Sequence, residues 1–215
     1  MSRDFEFKQL LRAYRTGIVS EATFEQEMAV LEHGTSSSNG SNGGGGFQAF
    51  GKTYKSESAA IISFLDKVRA GEETAGHAIP KWVAVCKTDC IRSGLRMVAE
   101  REAYHGRVFE QRVRDLGGEK RAGMTDEGRK YIAYISDPNI PDLEKIQRFA
   151  GSLPDPKEAI RPICEFAALI KEDLETKEML RLFAEDELST ATWINESCAA
   201  LTKLHKEQQS AMAAS

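Results

Sequence analysis

The chain has 215 residues, 41% of them hydrophobic and 29% charged, an ordinary globular balance with room for one substantial core and an appendage. A net charge of −4 speaks against a nucleic-acid or anionic-membrane binder, which needs a basic face. No run approaches the roughly eighteen apolar residues of a membrane span, and the charges scattered through residues 1–17 do not make a signal peptide, so a cytoplasmic protein is expected.

In chain order, residues 1–33 predict a helical hairpin. Phe7, Leu10, Leu11 and Tyr14 fall on one helix face, Gly17 breaks it, and Ser20 caps a second helix carrying Phe24, Met28 and Leu31. The text resembles small hairpin modules appended to bacterial proteins, which implies docking to a protein partner or self-association. Residues 34–51 are read as a flexible linker, because the run GTSSSNGSNGGGG at 34–46 cannot bury enough surface to offset its ordering entropy.

Residues 52–207 predict an all-α domain, and 208–215 a disordered tail. Long helices are expected at about 56–86 and 88–117, the second closed by Gly117-Gly118. A connection over 118–155 holds two short helices around Arg129–Ile135 and Leu143–Phe149. Asp155-Pro156-Lys157-Glu158 opens a third long helix with a cap, a first-turn proline and a capping-box glutamate, and a fourth ends near 206. Two helical hairpins joined by a long crossover is a standard four-helix-bundle topology. Cys86, Cys90, Cys164 and Cys198 include no C-x-x-C pair and read as buried reduced thiols.

An internal repeat supports this division. LRMVAERE at 95–102 aligns with LRLFAEDE at 180–187, identical at five of eight positions, each mid-helix in the second arm of a hairpin. Helical seams then locate polar residues where apolar ones belong. Ile61, Leu65, Val68, Ala75, Ile79 and Cys86 form a seam that includes Glu72. Leu95, Val98, Phe109, Val113 and Leu116 form one that includes Glu102 and His105, and Leu180, Ala184, Ala191, Ile194, Cys198 and Leu201 one that includes Glu187. A buried carboxylate without a partner costs several kcal/mol, so each needs a metal or a hydrogen bond. The bland alternative is a polar core contact, with Glu187 satisfied by Thr190 or Tyr104. His77 sits on a face shared with Asp66 and Arg69 that reads as solvent-exposed, and Trp82 and Trp193 read as packing residues.

Three inward carboxylates with a histidine three residues after one of them match the carboxylate-bridged metal sites of helical bundles, because residues i and i+3 project to the same side. Ala70-Gly71-Glu72, then Glu102-x-x-His105 and Phe109-Glu110, resemble the first hairpin of the ferritin-like superfamily, nearest in style to rubrerythrin and demethoxyubiquinone hydroxylase. The resemblance implies a ferritin-like four-helix bundle with Glu72, Glu102, His105 and Glu187 as iron ligands. Glu158 is the counterpart offered by the third helix, with Glu165 as a substitute. The chain departs from the pattern at Thr190, where a second histidine is expected. The implied function is an oxidoreductase acting on oxygen or peroxide with a di-iron or mononuclear centre, as a homodimer. The alternative is a metal-free or ligand-binding interaction protein with a degenerate site.

Overall fold

The computed structural model describes residues 46–152 and 154–213. The N-terminal hairpin and most of the linker expected from the sequence lie outside the described residues. Among those described, the chain is mostly helical, with six helices and one two-stranded sheet.

The sheet pairs β1 (Phe47–Ala49) antiparallel with β2 (Lys52–Tyr54), Gln48 opposite Thr53. Phe50 and Gly51 turn the chain with positive φ of 52° and 69°, as a two-residue hairpin of primed type requires. Residues 47–51 therefore differ from the expected linker. The reason is aromatic: Phe50 stacks on Phe64 and Phe166 at centroid distances of 5.4 and 5.2 Å, while Ala49 is buried.

Helix α1 (Glu57–Val85) starts at Ser56, whose hydroxyl accepts from Ala59 N at 3.1 Å. Helix α2 (Asp89–Asp115) ends at the expected glycines. Gly117, at φ 74°, donates to Arg114 O, and Gly118 N donates to Val113 O at 2.8 Å, a Schellman closure that needs the left-handed conformation. In the crossover lie α3 (Asp126–Ile135), capped by Thr125, and α4 (Asp142–Ser152). Helix α5 (Pro156–Leu169) is capped by Asp155, which accepts from Lys157 N. Helix α6 (Leu174–Ala213) runs past the expected end near 206 and through most of the expected tail, because no glycine or proline interrupts it.

Helices α1 and α2 pack along one another, as do α5 and α6; α3 lies on α1, α4 on α6, and α2 touches α6. Trp193 of α6 sits against Gly94 of α2 so closely that an added Cβ would lie 2.0 Å from the indole ring. Two apolar clusters result. One surrounds the fully buried Trp82, with Ile79, Leu95, Val98, Ile135, Ile146 and Ile194. The other surrounds Phe109 and Phe166, with Ile61, Leu65, Val113, Leu180 and Phe183. Along α1, α2 and α6 the band between these clusters is where Glu72, Glu102, His105 and Glu187 fall.

Three other buried carboxylates hold loops. Glu57 accepts from Lys171, Glu172 and Asp173 N at 2.8–2.9 Å, pinning the α5–α6 turn. Asp142 accepts from Trp82 Nε1, from Lys87 and Thr88 N and from Thr88 Oγ1 at 2.8–2.9 Å, pinning the α1–α2 turn. Asp66 accepts from Arg69 Nη2, Arg121 N and Ala122 N. Asp66 and Arg69 are thus buried beneath residues 121–122 and do not face solvent as expected, Arg69 being 0% exposed, whereas His77 is exposed as expected. Burial acts to raise the pKa of Asp66 and Asp142, and the donors outweigh it and hold both below the ordinary carboxylate value.

Candidate metal centre

The seams deliver their polar residues to one place. Glu72 comes from α1, Glu102 and His105 from α2, and Glu187 from α6; the first three are 8%, 5% and 4% exposed and Glu187 is half-buried. The α1–α2 turn lies nearly midway between Glu72 and Glu102, so the two carboxyls meet across the hairpin and hydrogen-bond. His105 Nδ1 lies 3.4 Å from Glu72 Oε2 and 3.7 Å from Glu187 Oε1. One ligand atom from each of these three residues falls within 4.8 Å of the others.

These three atoms, Glu72 Oε2, His105 Nδ1 and Glu187 Oε1, are buried and have no hydrogen-bond partner. The contrast with Glu57, Asp66 and Asp142 is sharp, since those equally buried acids are met by backbone donors. An unsatisfied buried acceptor costs about 1–3 kcal/mol, and here three converge on one point. A cation there would serve all of them.

His105 is oriented from the far side. Its Nε2 bonds Asp186 Oδ2 at 3.1 Å. The carboxylate accepts, so Nε2 carries a hydrogen, and Nδ1 is the ring nitrogen turned toward Glu72 and Glu187. Phe183 packs edge-on against the imidazole with centroids 4.8 Å apart, which limits its rotation.

Burial first, then mutual repulsion, raises the acids. Glu102 is pushed up to about 9 by burial and by the charge of Glu72. Glu72 is pushed up to about 8 by burial, an effect partly countered by the hydrogen bond from Glu102 and reinforced by Glu187. Glu187 is pushed up to about 8 by burial and by Glu102. Crowding three carboxylates together disfavours the state in which all are ionised, so protons are held there near neutral pH.

Two of the expected arrangements are not found. Glu158 does not reach the cluster: its side chain is 62% exposed and pairs with Arg161 at 2.8 Å, as does Glu165 at 2.9 Å. Helix α5 turns Ala159, Ile160 and Ile163 toward the centre and leaves its glutamates to solvent. Nor do Thr190 or Tyr104 satisfy Glu187. Thr190 Oγ1 accepts from Arg101 Nη1 at 2.9 Å, and Tyr104 is 56% exposed. The cysteines are free, but only Cys86 is buried, with Cys90 and Cys164 exposed.

A cavity of about 360 Å³ opens beside the centre. Glu72, Glu102 and Glu187 form its polar end; Val68, Phe149, Ile160, Ile163 and Phe183 line the rest. A neighbouring cavity of about 480 Å³ shares Gly71, Ala75 and Phe149 with it and reaches Tyr131, whose buried hydroxyl also lacks a partner. Burial, and then the charge of Glu102, raise the Tyr131 pKa.

Asp186 and Arg101 were not legible as site residues from their seams. The one signal is in the repeat, where Arg101 and Asp186 are the aligned position at which the two copies carry opposite charge. Compared with known proteins, the chain matches no family model, no curated protein and no solved structure.

Proposed function

We propose that the chain is a ferritin-like four-helix bundle, α1, α2, α5 and α6, that binds iron at Glu72, His105 and Glu187 and serves as an oxidoreductase acting on oxygen or peroxide. The observation that carries the reading is the convergence of three buried, unpartnered ligand atoms from three helices. Two carboxylates and an imidazole are a donor set suited to iron or manganese. Bound iron would supply one-electron chemistry toward oxygen or peroxide. The chain's own residues do the rest. Asp186 holds the imidazole in the binding tautomer, Glu102 keeps a proton beside Glu72, and the apolar cavity walls limit water around the centre.

The test is metal analysis of protein purified aerobically, with Glu72→Ala and His105→Ala beside it. Stoichiometric iron in the parent and its loss in both variants is the expected result. Trace metal that neither substitution changes would remove the metal reading. The cavity beside the acids would then favour the second reading, a bundle that holds a small apolar ligand without metal.

A further inference from the structure

The internal repeat gives the α2 residues of the centre counterparts on α6, 85 positions on, and the counterparts are not equivalent. Glu102 corresponds to Glu187, His105 to Thr190, and Arg101 to Asp186. Arg101 Nη1 donates to the main-chain oxygen of its own counterpart, Asp186, and to Thr190 Oγ1, both at 2.9 Å. Thr190 is 5% exposed, so a guanidinium is fixed at the buried position from which a second imidazole would approach. The first hairpin brings a glutamate from α1, whereas α5 brings Ala159, Ile160 and Ile163.

Two donors that a second cation would need are therefore missing from the second half, and a permanent positive charge stands in their place. The unpartnered ligand atoms lie with Glu72, His105 and Glu187; the hydroxyl of Thr190 already has its donor. Charge points the same way. Arg101 acts electrostatically on both Glu102 and Glu187, so it offsets part of the carboxylate charge that would otherwise attract a second ion.

Resting on the metal reading above, we infer that the centre takes a single divalent cation, seated between Glu72, His105 and Glu187, with Arg101 standing in for a second. The ion then has donors on the α1, α2 and α6 sides and faces the apolar cavity on the α5 side. A two-ion bridge has no ligands there.

Full-length protein stripped with chelator and titrated with Co(II), with bound metal counted by equilibrium dialysis, decides the matter. One Co(II) per chain is expected. Two per chain would overturn this inference while leaving the metal reading intact, and none would overturn both. Arg101→Gln keeps a donor for Thr190 but removes the charge, so Co(II) should bind roughly tenfold more tightly, still at one per chain; unchanged affinity would contradict the role given to Arg101. Arg101→Leu with Thr190→His removes the cation and restores a nitrogen, and should take up a second, weaker Co(II). If that variant keeps the parent's helical circular dichroism and still binds one ion, Arg101 is not what excludes the second. If it loses its helical signal, the parent count and Arg101→Gln decide.

Discussion

Metal-free protein should lose stability as pH rises from 5 to 8, the reverse of what most acid-rich proteins do. Glu72 and Glu187 are raised to about 8 and Glu102 to about 9 in the fold, whereas the same acids in an unfolded chain titrate near the ordinary value of 4.5. Between those values the folded state holds protons that the unfolded state has released. Stability then falls with pH, by about 1.4 kcal/mol per pH unit for each proton so held. One proton retained across the whole window costs about 4 kcal/mol, a large share of the 5–15 kcal/mol typical of a domain. Asp66, Glu73 and Asp142 are depressed, so their contribution is complete above the ordinary carboxylate value and does not change between pH 5 and 8. Urea unfolding of chelator-treated protein at pH 5, 6, 7 and 8, followed by circular dichroism, measures the slope. Glu102→Gln keeps the amide donor toward Glu72 and should flatten the slope by about 1.4 kcal/mol per unit. Saturating Co(II) should remove the part due to Glu72 and Glu187, whose protons the ion replaces, and leave the part due to Glu102. A metal-free stability that is constant or rises over this range, or a slope that Glu102→Gln leaves whole, would refute the reasoning.

Asp186→Ala should weaken Co(II) binding about 10- to 100-fold, because the imidazole loses the acceptor that sets its tautomer. Its side chain is 48% exposed, so the urea midpoint should barely move, and a full-affinity site would show that Asp186 does not orient His105. Glu158→Ala should leave metal content unchanged and stability within about 0.5 kcal/mol, as expected of an exposed pair with Arg161; loss of metal would return Glu158 to the centre. Asp142→Ala strands Trp82 Nε1 and the Lys87 and Thr88 amides, and should cost at least about 3 kcal/mol in a thermal melt without altering metal stoichiometry.

Much of the helical layout was legible because its determinants are local. Asp155 caps from within its own turn, Gly117 supplies the left-handed residue where α2 ends, and the turn around Lys87–Asp89 lies where periodicity breaks. Glu72, Glu102 and His105 were legible for a related reason: each interrupts an apolar stripe, and a stripe identifies the buried face whatever packs against it. Glu158 shows where that logic stops. A capping-box position and a position before the seam of Ile160 and Ile163 admit two faces, and the packing of α5 on α6 chose the solvent one.

By itself, then, the sequence determined where most of the helices run and that Glu72, Glu102 and His105 turn inward, since caps, breakers and a 3.6-residue period act within a few residues of chain. Only the tertiary structure decided that residues 121–122 cover Asp66 and Arg69, that Asp186 reaches His105, and that Arg101 binds Thr190. Those pairings join residues 53 to 89 positions apart. Their partners are set by how α1, α2 and α6 are placed against one another, which no local period records.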